Sequence, residues 1–192
     1  MRPGPAAASV GILADVEKAQ DPGGLVSEYV VRMANAGDLE QMVALWGVLN
    51  EAQRDHRIYP MAADAESVAA AMLAGALDDP HARVFVAQDH HDLIAMAVVH
   101  VEDRTGLNAA RVGELSRVVV RPGSRGSGVG ARLVARAEEW AREHGAEFLA
   151  AWVFSGNTEG TGFWDRMGFV PRAEERVRPI LRSGERGTDE RG

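Results

Sequence analysis

The chain has 192 residues, of which 46% are hydrophobic and 26% charged, and these values fit a single globular domain with a substantial core. A net charge of −7 gives no electrostatic support for nucleic-acid binding. The absence of cysteine excludes disulfides, thiolate metal ligands and a cysteine nucleophile.

Targeting and metal signals are also missing from the sequence. No apolar run approaches the roughly 18 residues of a membrane span. The first residues lack the apolar core of a secretory signal, which predicts a cytoplasmic protein without a membrane partner. The histidines have no ligand spacing, and the adjacent His90 and His91 cannot easily face one ion, so no metal is expected.

Residues 1–27 are rich in proline and glycine and predict a flexible extension before a domain over residues 28–182. The domain begins with a strand at 28–33. A helix follows, capped by Asp38 with Gln41 at the capping-box position. Its apolar stripe comprises Leu39, Met42, Leu45, Trp46 and Leu49.

A second helix is predicted from Asp64, with Val68, Met72 and Leu77 pointing inward. Strands at 83–88 and 93–101 form a hairpin. Further strands are expected at 114–120 and, buried, at 147–154. A short helix ending near Met167 precedes closing strands at 169–170 and 177–181, and residues 183–192 predict a disordered tail.

The stretch from Glu114 to His144 reads as strand, glycine loop and helix. The helix places Val129, Leu133, Ala137, Trp140, Ala141 and His144 on one face, and Gly145 ends it. Glycines at 126, 128 and 130 allow close approach and positive φ. The unpaired N–H groups and dipole of the helix N-terminus favour an anion, and Arg125 adds a charged donor. The loop therefore predicts a phosphate site.

A dinucleotide site is the first alternative, because Gly126, Gly128 and Ala131 match its fingerprint. That fold needs an acidic residue about 20 positions further on, at the end of the next strand. The sequence has only Glu147 there, at the start of that strand. An NAD(P)-dependent oxidoreductase is therefore a weak third hypothesis.

A second family fits the loop better. Arg125-x-x-Gly128-x-Gly130 resembles the acetyl-CoA pyrophosphate motif of the GNAT superfamily of N-acetyltransferases. Asn157, Phe163-Trp164 and Gly168-Phe169 resemble its second signature, and the resemblance covers about 28–181. It implies an α/β (α+β) GNAT fold. A mixed, mostly antiparallel sheet of about seven strands, the fourth and fifth parallel and splayed, would be flanked by about four helices.

The resemblance assigns the donor substrate, acetyl-CoA, to one group of residues. The strand backbone at Val118, Val119 and Val120 would meet the pantetheine amides, and a backbone N–H would stabilise the oxyanion. Asn157, Phe163 and Trp164 would line the arm, although Asn157 also suits a helix N-cap. The pyrophosphate would bind Arg125, Gly126, Ser127, Gly128, Val129, Gly130 and Ala131.

The implied reaction is attack of an amine on a thioester, for which a general base is useful. Glu114 is the first candidate, because the family keeps a glutamate there and strict alternation would place it on the face of Val118 and Val120. His100 is the reserve base. Trp164 stands where the family has an acidic tyrosine, and an indole N–H is not a practical proton donor. A non-catalytic acyl-CoA sensor is therefore the second hypothesis.

The acceptor is expected to be a small-molecule, peptide or protein amine. Candidate acceptor-binding residues lie between the first two helices: Arg54, His56, Arg57 and Tyr59. Tyr59 and water are the remaining candidate acids. The resemblance also admits a homodimer.

Overall fold

The computed structural model describes residues 29–105 and 109–178. The predicted extension at 1–27 and tail at 183–192 lie outside these ranges. In the described residues, no helix is both long enough and apolar enough to cross a membrane.

Five strands form one sheet in sequential order. They are β1 (Tyr29–Met33), β2 (Ala82–Asp89), β3 (Asp92–Arg104), β4 (Ala110–Val120) and β5 (Phe148–Ala151). Neighbours pair antiparallel, except that β4 and β5 run parallel. These pairings confirm the predictions of a mixed sheet and of a hairpin formed by β2 and β3. The antiparallel order excludes the parallel dinucleotide-binding fold.

The described residues contain five strands where about seven were predicted. The prediction of a closing strand at 169–170 was wrong. Gly168 has a φ of +83° and ends a helix, and the N–H of Phe169 donates to the carbonyl of Trp164 as part of that ending. Val177 and Arg178 are not in a strand, and the rest of the second closing strand lies outside the described residues.

Four helices cover the two faces of the sheet, as expected. They are α1 (Leu39–Ala52), α2 (Ala65–Asp78), α3 (Val129–Glu143) and α4 (Thr158–Arg166). One core cluster joins α1 and α2 to Val84, Val86 and Val98 of the sheet. The other joins α3 to Phe85, Val99 and others, with side chains of α4 at its edge. We call these sides the α1/α2 face and the α3 face.

The α1 stripe is confirmed, since Met42 and Leu45 are fully buried. The predicted capping box was misplaced by three residues. The side chain of Asn35 caps a 3₁₀ turn at Ala36–Asp38, and a carboxylate oxygen of Asp38 accepts a hydrogen bond from the N–H of Asn35 at 2.8 Å. Gln41 instead accepts from the N–H of Leu93 at 2.8 Å, which ties α1 to the sheet.

The predicted inward face of α2 was wrong by one residue. Ala69 and Leu73 are buried, whereas Val68 and Met72 are 46% and 52% exposed. Leu77 packs at the edge of the core. Apolar residues of α2 occur on every side of the helix, so hydrophobic periodicity does not select a buried face. The buried face is the one that packs against α1 and β2.

The α3 face prediction holds from Val129 to Ala141, all of whose stripe residues are buried. His144 is exposed and stacks on Trp140 with ring centroids 4.0 Å apart. Gly145 has a φ of +82°, as a helix-ending glycine requires.

The strand predicted over 147–154 is shorter and less buried than expected. β5 has four residues, and Phe148 and Trp152 are 62% and 75% exposed. Within the described residues β5 pairs only with β4, so it forms an edge of the sheet. An edge strand has fewer neighbours to cover its side chains.

Candidate active site

The glycine loop presents an open helix N-terminus. Gly126 and Gly128 both have a φ of +80°, and Gly128 is the N-cap of α3 without a capping side chain. Ser127 turns away, since its Oγ donates to the carbonyl of Ser124 at 2.8 Å. The first N–H groups of α3 are therefore available to an anion, with the positive end of the helix dipole behind them.

Arg125 lies beside this loop and contacts α4. Its Nη1 pairs with both carboxylate oxygens of Glu159 at 3.1 and 3.2 Å, and its Nε donates to the carbonyl of Val120 at 3.4 Å. Exposed pairs of this kind contribute only about 0.2–1 kcal/mol. A phosphate group can replace Glu159 as the partner of Arg125 at little loss.

The edge of β4 opens where the glycine loop begins. The parallel ladder runs from Val112 opposite Phe148 to Leu115 opposite Ala151 and ends there. β4 continues to Val120 without a partner on that side among the described residues. The ladder thus ends before β4 does, and backbone groups of residues 116–119 on that side are open to an extended amide chain.

A β-bulge interrupts β4 at the same place. Ser116 lies opposite Val98, but Val119 lies opposite Met96, so β4 has one extra residue. Arg117 has a φ of +50° at this point. The extra residue reverses the alternation of side chains beyond it.

The bulge corrects the predicted orientation of Glu114. Leu115, Val118 and Val120 pack on the α3 face, and Val119 packs on the α1/α2 face. Glu114, adjacent to Leu115, therefore projects toward the α1/α2 face, opposite to Val118 and Val120. Strict alternation wrongly placed all three side chains together.

Glu114 belongs to a polar group on the α1/α2 face. Its Oε2 accepts from Nη2 of Arg104 at 3.0 Å, and Arg104 also donates to Glu102 at 3.1 Å. Within the described part of the chain, Oε1 of Glu114 has no hydrogen-bond partner. One carboxylate oxygen is thus held in place while the other is free to accept a proton.

His100, the reserve base, is the cross-strand partner of Glu114. Opposite residues of an antiparallel pair project to the same face, so both candidate bases lie together. Nε2 of His100 is 3.6 Å from a carboxylate oxygen of Asp79, at the end of α2. The residue that faces His100 from a neighbouring helix is therefore another acid.

The α4 signature residues meet the start of α3. Oδ1 of Asn157 accepts from the N–H of Gly160 at 2.9 Å, so its N-cap role is confirmed. A Cβ on Gly130 would lie 3.4 Å from both the Phe163 ring and Val120. The Phe163 ring therefore lies in contact range of the first turn of α3.

Trp164 lies in an aromatic cluster. Its ring meets Phe163 and Phe169 edge to face, with centroids 5.0 and 4.8 Å apart. It also packs against the core of the α3 face. These contacts give Trp164 a packing role that needs no proton transfer.

Three of the four predicted acceptor residues line one depression, of about 580 Å³, at the end of α1: Arg54, Arg57 and Tyr59. Arg54 pairs with Glu51, and Arg57 donates to Oδ1 of Asn50 at 2.8 Å. His56 faces elsewhere. A Cβ on Gly156 would be 3.0 Å from its Nδ1, so His56 lies against the loop after β5.

Sequence reasoning did not single out Arg117. The side chain is half-buried on the α1/α2 face, where Nη1 contacts Oγ of Ser116 at 3.1 Å and Nη2 contacts Sδ of Met72 at 3.4 Å. Burial lowers the pKa of its guanidinium. A charged residue inside the apolar run at 115–120 was the available signal.

Known proteins resemble this chain in sequence. The model of the acetyltransferase (GNAT) family matches residues 45–169. An uncharacterised N-acetyltransferase of Bacillus subtilis, YobR, is 31% identical over 94 residues, which are 49% of this chain and 35% of YobR. The chain thus spans about a third of that relative's length.

Solved structures share the fold. A mutant of the BH1408 protein of Bacillus halodurans has a TM-score of 0.71 at 19% identity, over 79% of this chain and 99% of that one. A protein of Clostridium acetobutylicum, described as a predicted acetyltransferase with acetyl-CoA, has a TM-score of 0.65 at 18% identity. It covers 79% of this chain and 96% of its own. These structures share the fold, and the match of the family model over residues 45–169 establishes that the chain belongs to the acetyltransferase (GNAT) family.

Proposed function

We propose that the protein transfers an acetyl group from acetyl-CoA to a primary amine of a small molecule, peptide or protein. The observation that carries the proposal is the continuity of two features. The edge of β4 at 116–120, which pairs with no strand on that side among the described residues, leads directly into the loop with left-handed Gly126 and Gly128. That loop ends at the start of α3, which has no capping side chain. An extended amide chain that ends in a pyrophosphate fits both.

The residues present suit such a donor from end to end. Backbone groups between Ser116 and Val120 would hold the pantetheine arm, and the first N–H groups of α3 with Arg125 would hold the pyrophosphate. Phe163 lies beside Gly130, next to the proposed course of the donor. When bound there, acetyl-CoA supplies an activated acetyl group as a thioester.

Glu114 is the proposed base. An alkyl ammonium of pKa about 10.4 must lose a proton before it attacks, which costs roughly 5 kcal/mol at pH 7. The free Oε1 on the α1/α2 face accepts that proton, directly or through water, and the neutral amine nitrogen then bonds to the acetyl carbon. As the carbon–sulfur bond breaks, the thiolate leaves and the nitrogen gives up its second proton to solvent.

A dedicated acid is not required for the leaving group. A thiol of pKa about 8.5 departs as thiolate at pH 7 with a penalty of only roughly 2 kcal/mol. Solvent can protonate it afterwards. The packing of Trp164 among Phe163 and Phe169 is consistent with this route.

The same packing motivates a second candidate function, an acyl-CoA sensor without turnover. Calorimetric titration with acetyl-CoA and with desulfo-CoA measures binding, and thiol release over an amine panel measures transfer. Binding with amine-dependent thiol release supports the transferase. Binding without release for any amine supports the sensor, and absence of binding refutes both.

A further inference from the structure

Arg117 is a half-buried cation that contacts no carboxylate in the part of the chain that the structure describes. Its two side-chain contacts are the hydroxyl of Ser116 and the sulfur of Met72, both uncharged. No acidic side chain within the described ranges forms an ion pair with it. A guanidinium has five donors and stays charged in proteins, so most of its hydrogen-bonding capacity is unused here.

Arg104, on the same face, shows the contrast. It lies between two carboxylates, those of Glu102 and Glu114, at 3.1 and 3.0 Å. Burial without such a partner disfavours the charged form of Arg117, and its pKa is lowered for that reason. An anion that reached Arg117 would offset this penalty and satisfy the free donors.

The backbone holds Arg117 in this position at some strain. A φ of +50° is unusual for a residue with a long side chain, and it occurs at the bulge that opposes Ala97. Bulges near active sites commonly redirect a side chain. Here the bulge places Arg117 toward Met72 of α2, on the α1/α2 face.

Arg117 lies three residues from Glu114 along β4, a separation of at most roughly 10 Å between Cα atoms. Both side chains reach the α1/α2 face, one as a base with a free oxygen and the other as an unpaired cation. An acceptor that carries an amine and an oxyanion can engage both residues at once.

We propose that Arg117 determines acceptor specificity by binding a carboxylate or phosphate of the amine substrate, an inference that rests on the proposed acetyl transfer. The guanidinium pairs with the oxyanion through parallel N–H···O bonds and orients the amine toward Glu114. No bond is made or broken at Arg117, which therefore acts in binding.

Matched acceptors test this role. The panel contains amino acids as free carboxylates and as carboxamides, together with O-phosphoethanolamine and ethanolamine. We expect the wild-type protein to prefer one anionic form over its neutral counterpart by roughly ten- to hundredfold in kcat/KM, the range of a charge-assisted hydrogen bond. The carboxylate and phosphate pairs show which oxyanion is preferred.

Arg117→Gln should remove the preference mainly by raising KM for the anionic acceptor, so that the ratio of kcat/KM between the anionic and neutral forms falls toward one. Arg117→Lys should retain part of the preference. Arg136→Gln is the matched control, since Arg136 pairs with Glu139 on the outer side of α3. It should keep the wild-type preference.

Several results would overturn the inference. These are equal wild-type kcat/KM for anionic and neutral forms, or an equal loss for both forms in Arg117→Gln. If Arg117→Gln does not fold, the wild-type ratio and Arg117→Lys decide. Failure of the proposed function is distinguishable, because then no acceptor of either form releases thiol.

Discussion

Glu114 and Val118 project to opposite faces of the sheet, although they lie four positions apart in one strand. The extra residue at Arg117 reverses the alternation between them. Val118 packs with α3 on the side of the glycine loop, while Glu114 joins Arg104 and His100 beneath α1 and α2. The proposed acceptor and donor would therefore approach β4 from different sides.

Replacement of Glu114 by Gln tests the base assignment. We expect kcat to fall by about 10²–10⁴, the usual contribution of a general base, with acetyl-CoA affinity unchanged. Glu102→Gln is the control, because Glu102 also pairs with Arg104. A normal kcat in Glu114→Gln would transfer the role to water or His100.

Gly128→Asp tests the pyrophosphate loop. Aspartate tolerates a left-handed conformation better than most residues, so the φ of +80° adds only modest strain. The new carboxylate repels an anion at the start of α3. We expect calorimetry to show loss of acetyl-CoA binding with a thermal unfolding midpoint close to that of wild type. Gly123→Asp, in the preceding turn with open space around it, should bind more tightly than Gly128→Asp. Unchanged affinity in Gly128→Asp would refute the loop assignment.

Trp164→Phe separates packing from acid catalysis. Phenylalanine keeps edge-to-face contact with Phe163 and Phe169 but lacks the indole N–H. We expect kcat within about threefold of wild type, because solvent serves as the proton source. A loss approaching the 10²–10⁴ of general acid catalysis, in a variant with normal circular dichroism, would contradict the packing role.

The Asp38–Arg32 pair should make stability depend on pH. Paired bonds of 2.7 Å from Arg32 hold the pKa of Asp38 below its ordinary value, with the N–H of Asn35 assisting and burial opposing. The folded protein therefore binds this proton only at lower pH than the unfolded chain does. The stabilisation is complete above about pH 4 and is lost as pH falls through the lower folded pKa.

Asp38→Asn should accordingly lower the free energy of unfolding by roughly 1.5–3 kcal/mol at pH 7. In urea titrations its difference from wild type should shrink below about pH 4. Glu51→Gln breaks an exposed pair with Arg54 and should change stability by less than about 1 kcal/mol. A constant difference between Asp38→Asn and wild type across pH 3–7 would contradict the linkage.

Sequence patterns predicted the elements whose signals are local and strong. The glycines at 126 and 128, the apolar face of α3 and the stop at Gly145 all behave as expected, because steric limits on φ and helical periodicity act over a few residues. The parallel pairing of β4 and β5 followed from the family resemblance.

The remaining features depend on contacts between distant segments. The bulge at Arg117 is set by pairing with β3, and no property of the run at 115–120 reveals it. Likewise, α2 buries Ala69 and Leu73 because of its fit against α1 and β2. The side chain of Asp38 is directed to Arg32 of the neighbouring strand, which a helix-cap pattern does not include.

Transfer of a labelled acetyl group is the most direct test of the central claim, that β4, the glycine loop and Glu114 together form an acetyltransferase site. The protein is incubated with acetyl-labelled acetyl-CoA and the amine panel, and products are separated by mass. We expect the label in an acid-stable amide, with one free thiol per amide formed. Label that stays in acetyl-CoA with every amine, or leaves only as free acetate, would contradict the claim.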